Sequence, residues 1–489
     1  MKSYLKNFFP RYHLRYIRTL VYMLQASEYH TGDFLRWFAR TRDFLHVEER
    51  KQLVKTIKAR VFLGFGYLFA IFLCVLALWV LIVGTLWWKY PLFFLMALFA
   101  PYLISYSLVA FLFVLRLVQW PIEYVMTASA KKKLRAHRGL KIAIAGSFGK
   151  TSMREILKTV LGVGKKVSAP PGSYNTPLGI SSFVKTLKGD EEVLLFEMGE
   201  YYPGDIKRLC DLVEPDMGVI TGVNEAHLEK FKDISRTQKT IFELADYLAS
   251  VIGAKAGIQQ GLLYVNGENE LAKKYAREDV ILYSRSGAGE WKVEKTDTDL
   301  SGTSLVIQKG SEKISAHSNL LGLHQVGPLV VAADIASKLG LTSAQIEQGI
   351  SETKPFAHRL EPKTDAHGVT TLDDSYNGNP DGVRAVIEFL SSLNGSRRFY
   401  VTPGLVEMGA KKEEIHKEIG RELARAGIEK VVLLRNSVTP FIEQGLQEGK
   451  YGGEVIWFSK ALEAFSALPN LTVQGDVVLL QNDWPDQYA

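Results

Sequence analysis

Two long apolar runs lie near the start of the chain. Residues 61–88 contain no charged side chain, and neither do residues 90–115. Each run exceeds the roughly 20 residues that a membrane-spanning helix needs. Lys89 stands between them among aromatic residues, which favour the level of the lipid headgroups. We predict a helical transmembrane hairpin over residues 61–117, with two buried helices of a soluble core as the alternative.

After a polar linker over residues 118–139, short β-rich runs alternate with segments of helical spacing. The first predicted strands and helices lie at residues 141–145, 152–161, 193–197, 205–212 and 217–221. A second set follows at residues 370–373, 381–393, 398–401, 415–426, 431–434 and 477–480. Such alternation is typical of parallel sheets with crossover helices. We predict an α/β fold, with a central domain of mostly parallel sheet over residues 140–355 and a Rossmann-like α/β domain over residues 356–489.

The positive charge of the chain is concentrated at its start. The formal net charge is +7, yet residues 1–60 alone hold 13 Lys/Arg against 5 Asp/Glu. Basic side chains beside apolar spans are attracted to anionic lipid, at roughly 1 kcal/mol each near the surface. We therefore expect membrane lipid as a partner and no nucleic acid. Aromatic and basic positions in this segment predict amphipathic helices, either on the membrane surface or packed on the soluble domains.

The basic residues that flank the apolar runs predict the orientation of the hairpin. Lys55, Lys58 and Arg60 precede the first run, while Arg116 and the basic segment 131–135 follow the second. By the positive-inside rule, both ends lie in the cytoplasm. We expect a protein of the bacterial cytoplasmic membrane with two spanning helices, whose large α/β domains face the cytoplasm.

The motif GSFGKTS lies between a predicted strand and a predicted helix. Its residues are Gly146, Ser147, Phe148, Gly149, Lys150, Thr151 and Ser152. Glycines let backbone N–H groups close around phosphate oxygens, and the helix N-terminus adds a favourable field. Lys150 would contact the outer phosphates, and the Thr151 hydroxyl would bind Mg²⁺. A plain tight turn is the alternative, but the strand–loop–helix setting favours a phosphate-binding P-loop in the central domain.

Acidic and imidazole side chains follow two later strands of the same domain. Glu197 ends the predicted strand 193–197, and His227 lies shortly after the predicted strand 217–221. Open α/β sheets bind ligands at the carboxyl ends of their strands. A carboxylate and an imidazole can together complete a divalent-metal site there. Each residue alone is better explained by a structural role, but their succession in one sheet favours the metal site.

Two polar motifs lie at the start of the C-terminal domain. HRLE occupies residues 358–361, and DDSYNGNP occupies residues 373–380, directly after a predicted strand. Asx-rich turns are often simple turn chemistry. The acidic and amide groups of the second motif, which includes Asp374 and Asn377, are also what a loop contacting ribose and phosphate would offer.

Taken in order, these motifs resemble those of the Mur ligases, and of MurF most of all. The matching segments are GSFGKTS, EMG at 197–199, NEAHLE at 224–229, HRLE, DDSYNGNP and LVEMG at 405–409. The resemblance covers about residues 140–480. It implies an ATP-dependent ligase of peptidoglycan biosynthesis that joins a carboxylate to an amine. ATP would convert the carboxylate to an acyl phosphate, and the amine would then displace phosphate to give the amide.

The resemblance also implies roles for individual residues. Thr151 and Glu197 would hold one Mg²⁺ at the ATP phosphates. His227 would serve a second Mg²⁺ together with a carbamylated Lys239, so that the catalytic residues would be Lys150, His227 and Lys239. The remaining ATP contacts would come from Asn266, His324, Arg359, Asp374 and Asn377. The substrates would be a UDP-linked or lipid-linked muramyl peptide and an amino acid or dipeptide.

The chain also departs from the MurF pattern. Gln325 and Pro328 stand where MurF has asparagines, residues 481–485 replace its Lys-Gly-Ser-Arg element, and the hairpin stands where the family has its uridine-nucleotide domain. Three alternatives therefore remain. One is a MurT-like enzyme that amidates a lipid-linked precursor, although the two cysteines here cannot build its four-cysteine zinc ribbon. The others are a ligase similar to poly-γ-glutamate synthetases and a non-catalytic, membrane-bound nucleotide-binding scaffold.

Overall fold

The chain forms two compact units, Met1–Val125 and Met126–Ala489. The structure, a computed structural model, describes a large part of both. The described residues are 11–13, 15–27, 29–41, 43–44, 53–83, 87–172, 174–224, 233–251, 261–375, 378–405 and 408–482.

The N-terminal unit is built from helices. They are α1 (Tyr16–Ala26), α2 (Thr31–Arg40), α3 (Ile57–Val83) and the start of α4 (Lys89–Ala136). At 1.5 Å per residue, α3 is about 40 Å long and α4 about 72 Å, against a hydrocarbon layer of about 30 Å. Both are long and apolar enough to cross a membrane. Within the most apolar stretch of 18 residues, 11% is buried in α3 and 28% in α4. Such low burial is unlike the core helices of a soluble protein, so it favours the predicted hairpin over the alternative of a buried pair.

The predicted polar linker at residues 118–139 is helical as far as Ala136, as the continuation of α4. No helix was predicted for this segment from the sequence, yet apolar, helix-compatible residues continue after the charge at Arg116. Trp120 and Val125, for example, are 72% and 65% exposed on this helix. Pro121 lies inside the helix. Proline removes one backbone hydrogen bond and bends a helix, but it does not have to end it.

The helices α1 and α2 bury their apolar side chains in one cluster with residues of α3 and α4. Leu20 and Leu24 of α1 are fully buried in this cluster. The hydroxyl of Tyr16 lies 2.9 Å from Ser105 Oγ, which satisfies two buried polar groups. Phe38 of α2 packs edge-on against the Tyr102 ring. This packing against the apolar helices was not predicted from the sequence, which does not reveal the partner of an amphipathic face.

The larger unit begins with a ten-stranded sheet. Its strands are β1 (Leu140–Ala145), β2 (Val167–Ser168), β3 (Val193–Glu197), β4 (Met217–Ile220), β5 (Leu262–Asn266), β6 (Ile281–Ser284), β7 (Gly287–Ala288), β8 (Trp291–Asp299), β9 (Gly302–Lys309) and β10 (Glu312–Ser318). Its helices are α5 (Lys150–Gly162), α6 (Pro177–Thr186), α7 (Asp205–Val213), α8 (Ile234–Val251), α9 (Glu270–Tyr275), α10 (Val326–Lys338) and α11 (Ser343–Ser351). The strand order is β10-β9-β8-β7-β6-β5-β4-β1-β3-β2.

Along the sheet, every neighbouring pair from β2 through β3, β1, β4 and β5 to β6 is parallel. Every neighbouring pair from β6 to β10 is antiparallel. The parallel part agrees with the alternation of strands and helices in the sequence. No element was predicted for the antiparallel part. The reason is visible in β8, whose sequence WKVEKTDTD is largely polar and mostly exposed or half-buried. A strand of this kind gives little hydrophobic signal.

A second sheet of six strands follows. Its strands are β11 (Glu361–Thr364), β12 (Thr370–Asp374), β13 (Arg398–Thr402), β14 (Lys430–Leu434), β15 (Glu454–Phe458) and β16 (Val477–Gln481). The helices around it are α12 (Pro380–Ser392), α13 (Lys412–Arg425), α14 (Thr439–Glu448) and α15 (Ala461–Leu471). The order is β11-β12-β16-β13-β14-β15, and only the edge strand β11 pairs antiparallel. The predicted α/β class with two sheets is therefore confirmed.

Candidate functional site

The predicted P-loop connects β1 to α5. Gly146 and Gly149 have φ angles of +144° and +72°, which favour glycine. A Cβ atom at Gly146 would lie 2.2 Å from the Thr221 hydroxyl oxygen, so no larger residue fits there. The Ser147 N–H donates to Gly222 O at 2.9 Å, which ties the loop to the end of the neighbouring strand β4. The loop is thus held in a fixed shape at the start of α5, where backbone N–H groups are free to bind anions.

Lys150, the first residue of α5, points to a buried carboxylate. Its Nζ donates to both carboxylate oxygens of Glu200 at 2.8 Å and also to the carbonyl of Gly146. Glu200 is only 3% exposed. It lies three residues after Glu197, beyond the carboxyl end of β3. Glu200 was not singled out from the sequence, although its position directly after the EMG segment was a usable signal.

Thr151 and Glu197 lie side by side next to this ion pair. The Thr151 hydroxyl donates to Glu197 Oε2 at 3.0 Å. Arg154, one turn along α5, also contacts Glu197 Oε2 at 3.2 Å and donates to Gly172 O at 2.6 Å. Arg154 and Glu197 are 4% and 5% exposed. A buried carboxylate of this kind needs a compensating cation, and Arg154 supplies it.

A hydroxyl and a carboxylate beside a phosphate-binding loop fit the preference of Mg²⁺ for oxygen ligands. Magnesium is commonly held by one or two protein oxygens and completed by phosphate and water, so Thr151 and Glu197 suffice for one ion. Within the described residues, no group of three His, Cys, Asp or Glu side chains is placed to hold a metal. His227 lies outside the described residues. Lys239 is exposed on α8, and the structure gives no contact between it and Glu197.

A cavity of about 290 Å³ opens beside the P-loop, with walls from both α/β domains. Phe148, Gly149 and Ser152 line its P-loop side. Four other residues predicted to contact ATP also line it: Asn266, His324, Arg359 and Asp374. The structure thus brings together side chains that are up to 226 positions apart in the sequence (148 to 374). Asn377 lies outside the described residues.

His324 is a half-buried imidazole on the wall of this cavity. Its Nε2 lies 2.9 Å from Gln325 Nε2, and within the described part of the chain its Nδ1 has no hydrogen-bond partner. Burial lowers the pKa of His324 to about 4, and the positive charge of Arg285 acts in the same direction. A neutral ring with one unused nitrogen can hydrogen-bond a heterocyclic base.

Asp374 ends β12 and is 9% exposed. Burial raises the pKa of its carboxyl to about 6, and the charge of Arg359 opposes that increase. Gln481 donates an amide hydrogen bond to Asp374 Oδ2 at 2.7 Å. Gln481 belongs to the segment that departs from the MurF pattern. Its amide holds the Asp374 carboxylate in a fixed orientation toward the cavity.

The segment before Asp374 has an unusual backbone. His358 and Leu360, on either side of Arg359, have φ angles of +63° and +47°. Residues other than glycine rarely adopt such angles, and they cost of order 1–3 kcal/mol each. His358 Nδ1 lies 2.9 Å from Asp373 Oδ2. The strained turn therefore fixes the position of Arg359 where the C-terminal domain begins.

Polar contacts also join the two α/β domains at the cavity. Asn224, just after β4, donates to Asn379 Oδ1 and Asp381 Oδ2 at 2.9 Å each. Arg285, just after β6, forms a two-pronged ion pair with Glu388 of α12 at N–O distances of 2.5 and 2.7 Å. Neither contact was predicted from the sequence, because the partners are more than 100 residues apart and carry no local signal.

Comparison with known proteins agrees with this architecture. Residues 144–336 match the Mur ligase middle domain, and residues 358–481 match the Mur ligase glutamate ligase domain. The two matches cover about two thirds of the chain. Among curated relatives are UDP-N-acetylmuramoyl-tripeptide–D-alanyl-D-alanine ligases. That of Mycobacterium tuberculosis (strain H37Rv) is 27% identical over 323 residues, 64% of this chain and 62% of the relative. That of Bacillus subtilis (strain 168) is 25% identical over 342 residues, 70% and 72% of the two chains.

The chain spans about three fifths of the length of the first of these relatives. Solved structures with the same fold include MurF from Thermotoga maritima in complex with ADP. It has a TM-score of 0.64 at 23% identity and covers 75% of this chain and 81% of its own. MurF from Acinetobacter baumannii has a TM-score of 0.64 at 19% identity, with coverages of 74% and 78%. Residues 144–336 and 358–481 are thus the middle and C-terminal domains of a Mur ligase, and through them the chain belongs to the Mur ligase family.

Proposed function

We propose that this protein is an ATP-dependent ligase that joins a carboxylate to an amine on a peptidoglycan precursor. The observation that carries the proposal is the cavity whose walls come from both α/β domains. Its P-loop side would hold the phosphates, and His324, Asn266 and Asp374 would hold the nucleoside. The relatives named above are ligases of a UDP-N-acetylmuramoyl-tripeptide and D-alanyl-D-alanine, which supports the class of reaction.

The first chemical step would transfer the γ-phosphoryl group of ATP. An oxygen of the substrate carboxylate attacks the γ-phosphorus, ADP leaves, and an acyl phosphate forms. Such transfers depend on positioning and on stabilising developing negative charge. Lys150 would donate to the phosphoryl oxygens, while Thr151 and Glu197 would hold Mg²⁺, which supplies additional positive charge. In the second step the amine nitrogen attacks the acyl carbon, phosphate leaves, and the nitrogen loses a proton.

We propose a second Mg²⁺ held by His227 and a carbamylated Lys239, as the family resemblance implies. Lys239 is exposed on α8, so carbon dioxide has access to its amine. Lys239→Ala should lower activity, and short carboxylates added to the assay should restore part of it by replacing the carbamate. Glu197→Gln and His227→Ala should each raise the Mg²⁺ concentration needed for half-maximal rate. An unchanged Mg²⁺ requirement in both ligand variants would contradict the metal site.

The decisive test of catalysis is the loss of the P-loop lysine. In detergent-solubilised protein, Lys150→Ala should reduce acceptor-dependent release of phosphate from ATP by about 10²–10³-fold, because one preorganised cation is lost. Lys158→Ala on the same helix is the matched control, since that side chain is 50% exposed and lies 3.9 Å from the Glu155 carboxylate. Near-normal turnover of Lys150→Ala would refute the P-loop assignment. A wild-type protein that binds nucleotide but never hydrolyses ATP with any acceptor would instead be a scaffold.

We further propose that the protein acts at the cytoplasmic membrane face on a lipid-linked acceptor. The support is the pair of apolar helices α3 and α4, which are long enough to span a bilayer. Residues before the Mur ligase domains would then bring the active site to the surface where a lipid-linked precursor is concentrated. A passive anchor for an enzyme that uses a soluble UDP-linked acceptor is the competing role.

A comparison of two chains separates these roles. The full chain in lipid vesicles and a chain that begins at Met126, the start of the second compact unit, would be assayed with lipid-linked and UDP-linked muramyl peptides. Nucleotide binding by the shorter chain would first establish that it is folded. If the shorter chain loses activity only on the lipid-linked acceptor, the N-terminal residues recruit that acceptor. If both chains are equally active on both acceptors, the N-terminal residues serve only as a membrane anchor. Testing ammonium against a dipeptide as the amine would separate a MurT-like amidation from peptide ligation.

A further inference from the structure

Glu200 binds the lysine that the proposed nucleotide site needs for contact with phosphates, Lys150. Its carboxylate receives two hydrogen bonds from Lys150 at 2.8 Å each, and its side chain is 2% exposed. The P-loop motif gives Lys150 a different partner in the working enzyme, namely the outer phosphates of the nucleotide. The Glu200 carboxylate and the nucleotide phosphates, which are both negatively charged, therefore compete for the ammonium group of Lys150.

Among the described residues at the P-loop, two cations already face buried carboxylates before any ligand binds. Lys150 contacts Glu200, and Arg154 contacts Glu197. Arg154 divides its contacts between Glu197, the partly exposed Glu155 and Gly172 O. Phosphates that draw Lys150 away would add negative charge beside Glu200 and at the same time remove an ammonium group that donates two hydrogen bonds to it. In a site of low dielectric constant this repulsion is large unless a further cation arrives.

We propose that Glu200 makes nucleotide binding conditional on the divalent cation. In the nucleotide-free protein, Glu200 holds Lys150. When the phosphates take Lys150, Glu200 turns to the Mg²⁺ that arrives with them, either directly or through a bound water. Glu197, which ends β3 three residues before Glu200 and contacts Thr151, would hold the same ion. This inference rests on the proposed nucleotide site and adds a residue that couples the two ligands.

The test is nucleotide affinity with and without the metal, measured by calorimetry with ADP on the full-length protein in detergent. For the wild type, ADP in excess EDTA should bind much more weakly than ADP with Mg²⁺. In Glu200→Gln, Lys150 is released from a charged partner, so the affinity for metal-free ADP should rise. The ratio of the two dissociation constants should fall by about 10- to 100-fold, the scale of one charge–charge contact at about 6 Å in a partly screened site.

Glu192→Gln is the matched control. Glu192 is exposed, lies at the other end of β3 and pairs with Lys165, so its removal should leave the ratio unchanged. Glu200→Asp keeps the charge and should keep most of the metal dependence, which protects the test if the amide variant folds poorly. Mn²⁺ bound in the presence of ADP, followed by electron paramagnetic resonance, should be held more weakly by Glu200→Gln than by Glu192→Gln.

An unchanged affinity ratio in Glu200→Gln, with wild-type protein that binds Mg²⁺–ADP normally, would refute the role of Glu200 and leave the proposed function intact. Equal weakening with and without metal would also refute it, because a merely structural ion pair predicts that result. A wild-type protein that fails to bind ADP under either condition would refute the nucleotide site itself and the inference with it.

Discussion

The ionisation of Asp374 should set the pH dependence of nucleoside binding. Burial raises the pKa of this carboxyl to about 6, against the opposing charge of Arg359. The ordinary value is 3.8, so the difference of about 2 units corresponds to about 3 kcal/mol that disfavours the charged form. Asp374 is therefore largely ionised at pH 7.5 and largely neutral at pH 5.

Hydrogen bonds to a charged acceptor contribute about 1.5–3 kcal/mol, against about 0.5–1.5 kcal/mol for a neutral one. If Asp374 accepts ribose hydroxyl groups, affinity should therefore fall about 5- to 10-fold between pH 7.5 and pH 5, with a midpoint near 6. Adenosine is the suitable ligand because it has no phosphate that titrates in this range. The assay is competition against a fluorescent nucleotide on the full chain, repeated at half-unit intervals of pH.

Asp374→Asn should bind adenosine without a step near pH 6. Asp373→Asn is the matched control, since hydrogen bonds from Ser375 and His358 help to hold the pKa of Asp373 below its usual value despite partial burial, and the step should persist. Gln481→Leu should move the midpoint upward, because the amide hydrogen bond to Asp374 favours the charged form. A flat profile in the wild type, or a step that survives in Asp374→Asn, would refute the reasoning.

The same carboxyl has a consequence for folding stability. Its pKa is higher in the folded than in the unfolded state, so its stabilising contribution is fully present below pH 3.8 and is lost as the pH rises through about 6. His324 acts in the opposite sense. Its pKa is lowered to about 4, so its contribution is present above 6.5 and is lost as the pH falls through about 4. The two effects partly cancel between pH 4 and 6. A variant that replaces Asp374 should therefore show the pH dependence of stability caused by His324, and a variant that replaces His324 should show that caused by Asp374.

Two further predictions concern packing and domain contact. Gly420→Ala should lower the free energy of unfolding by about 1–3 kcal/mol, because the new Cβ would lie 2.1 Å from Ile442 O. The measurement is denaturant unfolding. Gly162→Ala is the control and should show no such loss, because nothing lies within 4 Å of a Cβ at that position. Arg285→Gln and Glu388→Gln should each weaken ADP binding several-fold while costing under about 1 kcal/mol of stability, since the pair is partly exposed. Additive losses of affinity in the double variant would contradict a direct contact between the domains.

Much of the fold and part of the site could be predicted from the sequence. The apolar runs, the GSFGKTS loop and the alternation of strands and helices are local patterns, and local patterns are fixed by periodicity and backbone conformation. Gly146 illustrates this, because a loop that closes around phosphates needs a residue without a Cβ. The strand β8 was missed because its largely polar sequence gives little hydrophobic signal. The helical continuation of α4 was not predicted either, although apolar residues continue past Arg116.

What only the tertiary structure decided is which side chains meet. Lys150 pairs with Glu200 from 50 positions away, and Asn224 reaches Asn379 from 155 positions away. The parallel order of β4, β1 and β3 brings the ends of these strands together, and no short segment contains that information. The sequence alone predicted a P-loop with Glu197 near it, because residue type and spacing are local. The balance of charge among them depends on distances across the sheet, and chain topology alone sets those distances.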